Sequence, residues 1–182
     1  MKFQIFGLHS ALMAEDVIKR IGHEFIKTLE EKTGLSMAWV NSPDEFHPNA
    51  IPVFFIQTGG TEGKFLEHIS KRTQPVLLLT HGAMNSLAAS IEILTYLQNQ
   101  GIKGEVIHGN IDYVTQRLIN IEKIHSARRS LAKATLGVIG QPSDWLIASQ
   151  VNKALAKEKL GCEIIDIPID ELINLSRKDY VL

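Results

Sequence analysis

Residues 51–86 read IPVFFIQTGGTEGKFLEHISKRTQPVLLLTHGAMNS, and the fold is decided there. Residues 51–57 are rich in branched and aromatic side chains and predict a strand. The turn Thr58-Gly59-Gly60-Thr61-Glu62-Gly63 leads into a short helix over 61–72. A second, almost wholly apolar strand follows at 75–80, then a polar loop, then a helix over 86–100 with Leu87, Ile91, Leu94, Tyr96 and Leu97 inward and Gly101 as its stop. Strand, helix, strand and helix in alternation predict a parallel sheet covered on both faces.

The same pattern continues outward in both directions. Upstream, residues 3–8 read as a strand. Residues 15–32 set Val17, Ile18, Ile21, Phe25 and Leu29 at helical spacing, and Gly34 ends that helix. A strand at 36–40 closes in the turn signal Asn41-Ser42-Pro43-Asp44. Downstream, residues 104–108 make a fifth strand. A long helix over 110–133 carries Val114, Leu118, Ile121 and Ile124. Five strands with their helices suit an α/β doubly wound, flavodoxin-like domain of strand order 2-1-3-4-5. We take it as 1–134, the long helix included. Residues 135–182 restart the pattern with a strand at 135–139, a helix at 144–160, a strand at 163–167 and a short helix at 171–177. Two strands cannot bury a sheet alone. Either they extend the first sheet, or they begin a second α/β domain that is incomplete in this chain.

Composition narrows the function classes. The chain has 182 residues, 45% hydrophobic and 21% charged, which is ordinary for a globular protein. Lys and Arg total 19 against 20 Asp and Glu, and neither half is strongly basic, so no nucleic-acid or anionic-membrane footprint is expected. The apolar runs are far too short to span a bilayer. Gln4 and Gly7 interrupt the only candidate signal sequence, and acidic residues follow it soon after. Cys162 is the single cysteine, which excludes an internal disulfide and fits the reducing cytoplasm.

In an open parallel sheet, ligands bind beyond the carboxyl ends of the strands. The loops there offer His9 after the first strand, Gly59, Gly60 and Thr61 after the third, and His81 and Asn85 after the fourth. Ser143, Asp144 and Trp145 follow the strand at 135–139. Glycines let backbone N–H groups approach an anion or a sugar hydroxyl, but the pattern is neither a dinucleotide fingerprint nor a Walker loop. A tight turn with Thr61 as N-cap is the competing reading. His81 suits hydrogen bonding to a hydroxyl or acid–base work, against an ordinary polar strand end. Trp145 suits stacking on a sugar face, against packing between two domains. No carboxylate ends one of the first five strands and there is no nucleophile elbow, so no catalytic residue or metal ligand is assigned.

The stretch Leu136-Gly-Val-Ile-Gly-Gln-Pro-Ser-Asp-Trp-Leu-Ile-Ala-Ser149 resembles the opening of the second domain of L-fucose isomerase-like proteins, the family of L-fucose and L-arabinose isomerases. Glu163-Ile-Ile-Asp-Ile-Pro-Ile-Asp170 and Asn85-Ser-Leu-Ala-Ala89 are similar to that family too. The resemblance implies aldose–ketose isomerisation with a divalent metal, usually manganese, held by carboxylates and a histidine further toward the C-terminus than Leu182. It implies that this chain is the N-terminal part, or a shortened relative, of such an enzyme, inactive alone and without a cofactor of its own. In that family the N-terminal domain of one subunit helps to close its neighbour's active site. A homo-oligomer with a small sugar as ligand is therefore expected, and His9 and His81 correspond by topological place to the closing loops.

Overall fold

The computed structural model describes residues 2–11, 14–69, 75–148 and 151–177. They form two compact units, Met1–Glu122 and Lys123–Leu182. In the first, β1 (Phe3–Leu8), β2 (Met37–Val40), β3 (Ile51–Ile56), β4 (Val76–Leu79) and β5 (Gly104–Ile107) make one sheet. Its order is β2-β1-β3-β4-β5, and every pairing is parallel. The fold is flavodoxin-like, with the chain reversing direction of winding between β1 and β3.

Alternation along each strand builds two cores. Phe3, Ile5, Val53, Phe55, Leu77 and Leu79 point to one face, where Ile26 and Leu29 of α1 (Glu15–Thr33) and Val114, Leu118 and Ile121 of α4 (Ile111–Leu131) cover them. Phe6, Leu8, Phe54, Ile56, Val76 and Leu78 point to the other. There Phe65 and Ile69 of α2 (Glu62–Ile69) and Ala89, Ile93 and Leu97 of α3 (Ser86–Asn99) cover them. Adjacent Phe54 and Phe55 thus anchor opposite faces, as the period of two in a strand requires. Gly34 ends α1 at φ 67°, its N–H bonded to the Glu30 carbonyl. At the β5 edge, Arg117 of α4 grips Glu105 with both forks of its guanidinium, which holds the Arg117 pKa above its ordinary value.

The inward face of α3 differs from the expected one. Ile91 is 53% exposed and Tyr96 39%, while Ser86 and Ser90 are buried. The serines are tolerated because they are satisfied. Ser86 Oγ donates to the Ala83 carbonyl at 2.6 Å and accepts from Thr80 Oγ1 at 2.7 Å, and Ser90 Oγ donates to the Ser86 carbonyl at 2.8 Å. Ile124, expected inward on α4, is also exposed.

In the second unit, β6 (Thr135–Ile139) and β7 (Glu163–Ile167) pair in parallel as a separate two-stranded sheet, so they do not extend the first. α5 runs over Lys153–Leu160, not from residue 144. The Asn152 side chain accepts from the Leu155 N–H at 2.9 Å and sets the start, whereas Asp144 and Trp145 lie in a turn. Pro168 precedes α6 (Ile169–Ser176) and admits it two residues earlier than Glu171. No helix among the described residues is long and apolar enough to cross a membrane.

Candidate functional site

The loops after β1, β3 and β4 meet at the carboxyl edge of the first sheet. They enclose a cavity of about 620 Å³ lined by Ser10, Thr58, Gly59, Gly60, Glu62, Met84, Asn85, Ala88, Ala89 and Glu92. It lies where the winding reverses, the place the topology favours for a ligand. Its volume is in the range of about 300–1,000 Å³ usual for small-molecule sites.

Local chemistry fixes the walls. Ser10 N–H donates to Thr58 Oγ1 at 2.7 Å, and Thr58 Oγ1 donates to the Gly59 carbonyl at 3.0 Å, so the β1 and β3 loops are tied by a buried hydroxyl. Thr61 Oγ1 donates to the Thr58 carbonyl at 3.1 Å. Thr61 is therefore a loop brace at the start of α2, and its hydroxyl proton is turned away from the helix N–H groups. The Gly59 N–H donates to the Met84 carbonyl at 2.8 Å and joins the β3 loop to the β4 loop. Met84 and Asn85 both sit in the left-handed region, at φ 54° and 57°. For a non-glycine residue this is uncommon, and two in succession at a cavity rim mark a loop whose shape is imposed by its surroundings. The small side chains of Ala88 and Ala89 leave room beneath that loop.

The expected site residues divide into three groups. Gly59, Gly60 and Asn85 line the cavity. His9 and His81 are not among its lining residues. The His9 carbonyl accepts from Lys64 Nζ at 2.8 Å, and its Nδ1 faces the Ser10 carbonyl at 3.3 Å. His81 lies on the α1 face of the sheet, edge-on to Phe25 and Phe55 with ring centroids 5.9 and 5.6 Å away. Its Nδ1 accepts the Ala83 N–H at 3.1 Å, which places the ring proton on Nε2; that atom is buried without a partner among the described residues. Burial, reinforced by the neighbouring His108, lowers the His81 pKa. The Gln57 Oε1, on the same face one strand away, is also buried and unpartnered. Ser143, Asp144 and Trp145 belong to the second unit, where Trp145 is 80% exposed.

Sequence reasoning did not single out Ser10, Thr58, Glu62, Met84 or Glu92. The signal for the first two was the meeting of the β1 and β3 loops that a 2-1-3-4-5 order dictates. The signal for Glu92 was the pair of alanines four and three residues before it on α3, a small face followed by a carboxylate. No protein-family model matches the sequence, and no curated protein matches it either.

Proposed function

We propose that the first unit binds a monosaccharide-sized polyol in the carboxyl-edge cavity. The observation that carries this reading is the composition of the cavity wall. The Asn85 amide and the oxygens of Glu62 and Glu92 suit hydroxyls, while Met84, Ala88 and Ala89 offer an apolar surface for the C–H face of a sugar ring. Among the described residues the ionisable lining groups, Glu62 and Glu92, are acidic, which disfavours an anion.

The resemblance to L-fucose isomerase-like proteins makes the chain a sugar-binding portion or shortened relative of an aldose–ketose isomerase, working in the cytoplasm. Among the described residues no three His, Cys, Asp or Glu side chains converge as metal ligands. The resemblance places the ligands of that ion further toward the C-terminus than Leu182, and no chemical step is assigned through it. Binding without turnover is the expected behaviour. Titration calorimetry against a panel of neutral aldoses, with a parallel isomerase assay in manganese, tests both parts. Asn85→Gly removes the amide and relieves the left-handed backbone, so it should weaken sugar binding about threefold to tenfold with the fold intact. Unchanged affinity in that variant would remove Asn85 from the site, and chelator-sensitive turnover would overturn the non-catalytic part.

A second copy of the chain is proposed as partner, through the second unit. Leu136, Ile139, Val151, Leu155 and Ile165 are each at least 44% exposed there, more apolar surface than scattered single residues account for.

A further inference from the structure

We infer that a second copy of the chain docks strand to strand on the open edge of β6, antiparallel and centred on Gly137, an inference that deepens the second-copy reading above and rests on it. The backbone ladder of the second unit carries it. The Glu163 N–H donates to the Ala134 carbonyl at 3.0 Å, and the Gly140 N–H donates to the Ile167 carbonyl at 2.9 Å. With the register of β6 on β7, these bonds commit the backbone groups of the even-numbered residues of β6 to β7. Thr135, Gly137 and Ile139 therefore turn their N–H and C=O groups the other way. Among the described residues no strand pairs with β6 on that side, and every residue of β6 is exposed.

An unpaired row of this kind is a template for another strand unless charge, proline or a bulge guards it. The first unit fills the same place, since β1 has β2 on one edge and β3 on the other. β6 has no guard: residues 134–141 contain neither charge nor proline, and its register on β7 runs without a bulge. β7 is guarded. It carries Glu163 and Asp166, paired with Lys157 and Lys153 of α5, and it stops at Pro168, which has no N–H to offer.

The sequence of β6 also fits itself. A two-fold axis at Gly137 sets that residue opposite the copy's Gly137, and the two exchange both their hydrogen bonds. Thr135 does the same with the copy's Ile139. Every outward N–H and C=O of the strand is then used. Leu136 meets the copy's Val138 on one face and Thr135 meets Ile139 on the other, with no like charges opposed. Leu136, Val138 and Ile139, which are 57%, 36% and 49% exposed in the single chain, gain cover from the same contact.

The test uses the full chain with Cys162→Ser, which removes the single native thiol. Leu136→Cys and Val138→Cys are made in separate chains. In the antiparallel pair these two positions face each other with Cα atoms about 4.5 Å apart, within disulfide reach, whereas each lies diagonal to its own equivalent at about 7–8 Å. After mild oxidation with diamide, a mixture of the two chains should give cross-linked dimers, and either chain alone should give at least about fivefold fewer. Val138→Lys should raise the dissociation constant read by light scattering on the order of tenfold, and adding Leu136→Glu should recover most of that loss by opposing unlike charges across the axis. Dimers in light scattering without a preference for the mixed cross-link overturn the β6 edge and leave the second-copy reading standing. A protein that stays monomeric at every concentration removes both.

Discussion

The two units speak the same local grammar and reach different ends. β1 and β3 pair over six residues in the first unit, and β6 and β7 over five in the second, both in parallel. Both units cap helices by ordinary means: Gly34 closes α1 and Gly161 closes α5, each in the left-handed region. Yet among the described residues the buried apolar side chains belong to the first unit with one exception, Cys162. Every residue of β6 is exposed, and neither α5 nor α6 has a buried residue. Strand and helix patterns are therefore enough to specify elements and register. A core needs a third ingredient, which is enough layers to enclose both faces of the sheet.

That contrast breaks if the two units respond alike to truncation. Phe55→Ala, near the carboxyl end of β3 and fully buried, should cost about 3–5 kcal/mol in urea unfolding. Ile165→Ala, in the middle of β7 but 44% exposed, should cost under about 1 kcal/mol. Comparable losses would mean that β7 is enclosed in solution.

Amide exchange sharpens the point. In dilute protein, β1 and β3 should be protected and β6 and β7 should exchange quickly, since few buried contacts hold them. If a second copy covers the second unit, protection in β6 and β7 should rise with protein concentration, in step with the mass seen by light scattering. A strictly monomeric protein with slow exchange in β7 would defeat the proposal of self-association.

The smallest expected effect belongs to pH, through His81 in the first unit. His81 is neutral in the fold, with its pKa lowered first by burial and then by His108. As pH falls through the ordinary imidazole value of about 6.5, the unfolded chain takes up a proton that the folded chain resists. The contribution of this group is fully present above that value and declines below it, toward the lowered folded value. The urea midpoint should therefore drop between pH about 7.5 and about 5.5, and less so in His81→Gln. An equal drop in both would assign the effect to other groups.

Much of the first unit was legible because its strands are apolar runs of ordinary length and its helices carry their hydrophobic residues at helical spacing. Alternation at Phe54 and Phe55 is the clearest example. Errors arose where a polar residue had a private partner. Ile91 and Tyr96 were placed on the inward face of α3, and the burial of Ser86 and Ser90 there is explained only by their bonds to Thr80, Ala83 and each other. Ser143 and Asp144 are sound helix starters by type, but Asn152 holds that office, and residue type cannot say which of two eligible caps the backbone will reach. The site was half legible for a related reason. Gly59, Gly60 and Asn85 announce themselves as loop residues at strand ends. Glu62 and Glu92 look like any carboxylate on a solvated helix until the fold turns both toward one space.

The contact between Gly59 and Asn85 has a consequence for divergence. A Cβ added at Gly59 would stand 3.0 Å from the Asn85 Cβ and 3.7 Å from the Met84 carbonyl oxygen, the same oxygen that accepts the Gly59 N–H. The two positions therefore cannot drift independently. A side chain gained at 59 needs Asn85 or its loop to give by a few tenths of an ångström, so the order of substitutions matters. Gly59 and Asn85 should behave as one inherited character, changing together or not at all, although 26 positions separate them in the sequence.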